Sequence, residues 1–227
     1  MDYALWVVSA LLEAGVVVCA LRSRAFSRYF ALNLYMLSEL SITVSRYVVF
    51  SRYGYSSSQY FYFYYFSGAL LAICLYLSLM NLYSHVFKEM KVQRYLRVGA
   101  MLLLAGTALV SYKLVMDSRD RMVTHFVVEL GQNLYFVGVV LTYLLWGAIM
   151  KLRETRTRLI QLVLALGVYF SAYAANYALR NLYPAFPIWR YLLPLMAFWL
   201  PLAWGYTFLR IPEEARLATA QVAATQR

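Results

Sequence analysis

Long apolar runs alternate with short polar turns along this chain, and the alternation repeats seven times. Each run is near the roughly 20 residues that a helix needs to cross a bilayer core. The pattern predicts helices over about Tyr3–Leu21, Tyr29–Phe50, Gln59–Val86, Val98–Met116, Met122–Met150, Leu159–Leu179 and Trp189–Leu209. The breaks carry their own signals. Arg22, Arg24 and Arg28 stop the first run, and Arg52-Tyr53-Gly54-Tyr55-Ser56-Ser57-Ser58 is turn chemistry. The basic, amphipathic stretch Lys88–Arg97 and the basic loop Lys151–Arg158 follow the third and fifth runs. Asp117-Ser118-Arg119-Asp120-Arg121 is a short polar turn, Asn181–Pro187 contains a proline, and Pro212 ends the last run. The fifth run is longer than a span requires, so it is expected to tilt or protrude. The expected fold is all-α: a polytopic seven-transmembrane-helix bundle over residues 1–210, with a short polar cytoplasmic tail over 211–227.

Composition narrows this further. The 227 residues are 63% apolar and 14% charged, against about 45–50% and about 25% in soluble domains. Seven spans leave loops and one tail, with no room for a soluble domain of ordinary size. A net charge of +11 would suggest nucleic acid in a soluble protein, but here the basic residues sit at helix ends, where they meet anionic headgroups. No nucleic-acid partner is expected. The first run contains Glu13 and lacks a basic leader and a small-residue cleavage site, so it is expected to be retained as a span. Loops 1, 3 and 5 and the C-terminal end hold fourteen Lys and Arg against six in loops 2, 4 and 6, with Arg46 left inside the second helix. The richer side belongs in the cytoplasm. That orientation puts the N-terminus outside, requires an odd number of spans, and makes the chain a multi-pass protein of the plasma (cytoplasmic) membrane.

Four ionisable residues lie within the spans: Glu13, Glu39, Arg46 and Glu129. Each costs about 2.5–3.5 kcal/mol at mid-bilayer and needs a partner, a cavity or a function. Helix rise places Glu13 and Glu39 about 15 Å from the ends of their helices, near the midplane where coupling sites lie. Arg46 follows Glu39 by seven residues on the same face, and Glu129 shares its level in the outer half. An Arg46–Glu129 pair between the second and fifth helices is therefore expected, with Glu13 or Glu39 completing the network. His125, Glu129, Gln132 and Asn133 form one stripe. Tyr173, Asn176, Tyr177 and Arg180 add polarity to the sixth helix. Seven consecutive aromatics, Tyr60–Phe66, open the third. Such polarity can be helix-to-helix glue, and such aromatics can be an interfacial belt. The alternative is a polar, aromatic-walled cavity opening outward. Its candidate ligand-binding set is Glu39, Arg46, Glu129 and Asn133, walled by Tyr62, Tyr65, Tyr173 and Asn176. Glu13 and Glu39 are the candidates for coupling.

Catalytic fingerprints are absent, including GxSxG, HExxH, P-loop and dinucleotide motifs. Cys19 and Cys74 have no CxxC partner, and His85 and His125 are expected at opposite sides of the membrane, so neither cofactor nor metal is expected. His85 reads as an interfacial polar residue. Pro194 and Pro201, seven apart, predict a kinked seventh helix, and Gly68, Asn33 and Asn81 predict close helix packing.

The span count, short loops, outside N-terminus and aromatic start Tyr60-Phe61-Tyr62-Phe63-Tyr64 resemble uncharacterised bacterial seven-helix membrane proteins. They are also loosely similar to the seven-helix sensor region of some histidine kinases. That resemblance covers the layout of the whole chain. It is expected to depart at the C-terminus, where no dimerisation helix or kinase domain is expected after Arg227, so signalling is expected to pass through a separate partner. The expectation is a non-enzymatic, receptor-like or accessory subunit that binds a small ligand or a membrane protein partner. A small-solute or proton-coupled transporter and a purely structural subunit are the alternatives.

Overall fold

The computed structural model describes residues 3–22, 26–88, 93–115, 122–153, 156–183, 188, 192 and 195–212. Outside them fall Arg24, Lys91, Met116, the turn Asp117–Arg121, Pro187, the expected start of the last helix at Trp189, Pro194 and the tail 213–227. The described residues form seven helices: α1 Tyr3–Arg22, α2 Phe30–Tyr53, α3 Ser58–Val86, α4 Gln93–Val115, α5 Met122–Lys151, α6 Thr157–Leu182 and α7 Trp199–Arg210.

Local chemistry fixes several ends. Gly54 closes α2 at φ +77°, a conformation that glycine adopts without strain, and its N–H donates to Phe50 O. Three residues on, the Ser57 hydroxyl caps α3 by accepting from the Tyr60 N–H at 3.1 Å. Helix α4 begins five residues before the expected Val98, so part of the basic stretch Lys88–Arg97 is its first turn. In α7 the helix is interrupted at Phe198, three residues before Pro201. Pro201 has no N–H to extend the ladder backward and sits, buried, in the first turn of α7. The interruption falls inside the expected span Trp189–Leu209, between the positions of the two prolines.

Four helices, α3 to α6, are long and apolar enough to cross a membrane. Helix α2 has the length, 24 residues, but Asn33, Glu39, Arg46 and four serines dilute its hydropathy. Helix α7 is described over 12 residues. Large aliphatic side chains face outward around the molecule, among them Leu11, Val18, Leu102, Val140, Leu144 and Leu209. Soluble monomers seldom expose apolar surface so widely, whereas a protein in lipid must.

The packing order is a ring. Helix α1 packs on α2 and α7, α2 on α3, α3 on α5, α5 on α6, and α6 on α7. Helix α4 stands outside, against α5 and more lightly α3. Only 11% of its span is buried, against 39% for α3 and α5 and 50% for α6. Leu32, Met36, Leu75, Leu79, Leu82, Leu162, Leu166 and Trp204 belong to one apolar core packed between these helices. Cross-helix bonds add to this: Ser78 Oγ donates to Ala31 O at 2.9 Å, Tyr76 to Ala100 O at 2.8 Å, and Trp199 Nε1 to Ala165 O at 2.8 Å. Helices α5 and α6 approach closely at two glycines. A Cβ on Gly138 would lie 2.3 Å from the Phe170 ring, and one on Gly167 would lie 2.8 Å from Thr142. These two glycines, rather than Gly68, carry the tight packing. Gly68 instead leaves room for the Arg46 guanidinium at 3.7 Å. Asn33 bonds Tyr29 O at 2.9 Å and Phe26 O at 3.3 Å, so it ties the start of its own helix.

Candidate functional site

On α2, Glu39, Thr43 and Arg46 follow at offsets of four and three, the spacing that sets residues on one helical face. That face meets α1. Glu13, 1% exposed, accepts at Oε1 from Ser9 Oγ at 2.7 Å and from Thr43 Oγ1 at 3.3 Å. Glu39 is 8% exposed and lies within electrostatic reach of both Glu13 and Arg46. Each carboxylate keeps one oxygen, Oε2, buried and without a hydrogen-bond partner among the described residues. Two acidic groups and one guanidinium therefore share the inner face of α1 and α2, with charge left over for something else to meet.

Arg46 is held by α3. Its Nε and Nη2 donate to Ser67 Oγ at 3.0 and 2.8 Å, and Nη2 also donates to Tyr64 O at 3.1 Å. Its guanidinium carbon lies 4.5 Å from the centre of the Tyr64 ring, a cation–π contact. The expected Arg46–Glu129 pair does not form. Helix α3 stands between α2 and α5 in the ring, so a shared depth does not become a contact. Asn133 donates to Ser111 Oγ on α4 at 3.0 Å. Its stripe, which includes Glu129 one turn earlier, thus lies toward α4 rather than toward Arg46.

Tyrosines continue the site inward. Tyr35 on α2, Tyr135 on α5, and Tyr169 and Tyr173 on α6 are all buried and all within electrostatic reach of Glu39. Their rings pack directly: Tyr135 stacks on Tyr173 at 4.8 Å, and Tyr169 meets Tyr173 at 4.4 Å. Tyr177, two turns after Tyr169, lies near Tyr64, Tyr65 and Arg46 and connects the cluster to the start of α3. Tyr35 also packs edge-on to Trp204 at 6.0 Å, whose buried Nε1 has no partner among the described residues. Asn176, 1% exposed and one turn after Tyr173, has neither amide atom bonded.

The structure therefore brings together Glu13, Glu39, Arg46, Tyr65 and Tyr173, with Asn176 on the next turn. It sets Glu129 and Asn133 on the α4 side and turns Tyr62 outward, 46% exposed. Tyr60 is buried, but Phe61, Tyr62, Tyr64 and Phe66 are exposed, so the aromatic run faces mainly out of the bundle. No protein-family model, curated protein or solved structure matches this chain. The site therefore rests on its own chemistry. Among the described residues no group of three His, Cys, Asp or Glu could hold a metal, and Cys19 and Cys74 are free and half-buried.

Tyr35, Tyr135, Tyr169 and Trp204 are missing from the sequence-derived set. The available signal was spacing: Tyr169, Tyr173 and Tyr177 repeat every fourth residue, and Tyr35 precedes Glu39 by one turn. A second group is also missing. Arg28, Lys88 and Arg156 outside the helices, with His85 at the end of α3 and Arg97 in the first turns of α4, line one cleft of about 570 Å³.

Proposed function

We propose that this chain is a seven-span protein of the plasma membrane, with its N-terminus outside, that binds a small polar ligand inside the α1–α2–α3–α5–α6–α7 ring as a receptor-like or accessory subunit. The observation that carries this reading is the set of buried polar atoms with no partner among the described residues on helices of the ring: Glu13 Oε2 and Glu39 Oε2 on neighbouring α1 and α2, Trp204 Nε1 beside Tyr35, and both amide atoms of Asn176 one turn after Tyr173, with Asn33 Oδ1 nearer the start of α2. Each unpartnered buried group costs about 1–3 kcal/mol, and charged ones cost more. Hydrogen-bonded glue leaves no such remainder. A ligand with an ammonium or several N–H and O–H donors would meet the two carboxylate oxygens, and the tyrosine faces would receive its cationic or apolar part. Orientation rests on the basic loops, whose Arg28, Lys88, Arg97 and Arg156 gather at one end of the bundle.

A second reading, a proton-coupled or small-solute carrier, draws on one specific feature. Glu13 and Glu39 sit as close acidic neighbours on adjacent helices with an unbonded oxygen each, as a shared coupling site would require. Two measurements separate the readings. Mass spectrometry of the purified protein is expected to find a retained small molecule that is lost in Glu39→Gln and in Asn176→Leu. Retention unchanged in both variants would end the ligand reading. Proteoliposome flux that survives Glu13→Gln and Glu39→Gln would end the carrier reading. A purely structural subunit would retain nothing and move nothing.

A further inference from the structure

The cleft formed by α2, α3, α4 and the start of α6 belongs to a different part of the molecule from the tyrosine site, and it has two chemically distinct ends. Its mouth carries Arg28, Lys88, Arg97 and Arg156, together with His85. Beyond Asn81 and Ser84, its other end is mainly apolar, lined by Ala31, Leu77, Met80, Met101 and Leu104. From His85 to Tyr76 the slot follows nine residues of α3, about 14 Å. Leu77 and Met101 line it and are 50% and 71% exposed on the outer surface, so the slot opens sideways toward the bilayer.

Its basic end is built. Arg156 Nη2 donates to His85 O at 3.2 Å, which ties the start of α6 to the end of α3. The His85 ring stacks on Tyr29 at 5.5 Å, and its Nδ1 lies 2.9 Å from Asn81 O. A carbonyl can only accept, so that nitrogen carries a proton. Tyr76, at the other end, bonds to Ala100 O and holds α4 as the slot's outer wall. The volume, about 570 Å³, lies within the usual range of ligand sites.

We infer that this cleft is a binding site for a lipid with a phosphate headgroup of net negative charge, which enters sideways from the leaflet on the basic side. Four cationic side chains and a histidine meet the phosphate, and one acyl chain runs along Leu77, Met80 and Leu104. A headgroup without net charge gives the exposed Lys88 and Arg97 ammonium and guanidinium groups less to bind. A free phosphate leaves the apolar slot unfilled. The site stands apart from the ligand reading above, because Lys88 and Arg97 are on the loop end of the bundle and Glu39 is in its interior.

The test uses the full-length protein, purified and delipidated in a neutral detergent. Its melting temperature is measured with dioleoyl phosphatidylglycerol, with dioleoyl phosphatidylcholine and with inorganic phosphate. The expected result is stabilisation by phosphatidylglycerol, much less by phosphatidylcholine and none by phosphate. Lys88→Gln with Arg97→Gln changes two exposed side chains and is expected to weaken phosphatidylglycerol binding about 30-fold, about fivefold per charge. Added salt should weaken the wild type in the same direction. Ala100→Phe narrows the slot and should reduce the lipid shift while the cations remain. Equal stabilisation by the two lipids, or a shift undiminished in the Lys88/Arg97 variant, overturns the proposal. Stabilisation by inorganic phosphate equal to that by the lipid overturns the lipid assignment and makes the cleft a site for a soluble phosphate compound.

Discussion

Arg46 shows how one side chain sets the state of its neighbours. Its guanidinium satisfies Ser67 Oγ and the Tyr64 carbonyl and supplies the positive charge nearest to Glu13 and Glu39. Arg46→Gln removes a charged bond network worth about 1.5–3 kcal/mol per bond, and it leaves two acidic groups facing each other. The variant is expected to melt well below the wild type in detergent. Glu39→Gln added to it is expected to recover part of the loss, because the repulsion goes with the charge. A double variant that melts below the single one would contradict this pairing. Sequence reasoning placed Glu39 and Arg46 on one face through their seven-residue spacing and put Glu13 at their depth. It also paired Arg46 with Glu129. Depth along a helix follows from residue number alone, but which helix stands alongside does not, and α3 occupies the place assumed for α5.

Among the elements, the α5–α6 pair is tightly fitted at two glycines. Gly138→Ala forces a Cβ into the Phe170 ring at 2.3 Å, and overpacking of this kind costs about 1–3 kcal/mol. The expected outcome is a lower melting temperature, restored in part by Phe170→Leu, which vacates that space. The boundaries of α1, α2, α3, α5 and α6 fall within a few residues of those that the apolar runs predict, because each run ends at charged or turn-forming residues. The start of α4 was less legible. Gln93–Arg97 is polar and basic, so hydropathy ends the span at Val98, although the helical hydrogen bonds continue beyond the apolar part.

At the scale of the whole molecule, the alternating basic and less basic loops become a statement about accessibility. With Cys19 and Cys74 replaced by Ala, a single cysteine at Ser56 should react with a membrane-impermeant maleimide added outside intact cells. One at Arg153 should react only after the membrane is opened. Labelling of both from outside would overturn the orientation. The tyrosine site and the basic cleft were only half legible for a shared reason. Both are built from residues brought together by helix packing: Tyr35 with Tyr135 and Tyr169 within the ring in one, Arg28 and Arg156 with Arg97 of the outer helix α4 in the other. A sequence shows the periodicity of each contributor but not the order of helices around the ring.

Helix α4 is apolar along its span, stands outside the ring and buries little. Helix α2, the most polar, is enclosed between α1 and α3. This arrangement has a consequence for how the chain enters the membrane during synthesis. Helix α4 can leave the translocation machinery and rest in lipid alone. Helix α2 depends on partners that must already be present or arrive soon after, since Arg46 finds its acceptors only once α3 has emerged. Helix α3 meets α5 only once α5 follows, and the ring closes only when α7 reaches α1, so α4 waits at the side meanwhile. A stall in translation after α4 should therefore leave α2, rather than α4, as the segment handed to membrane quality control.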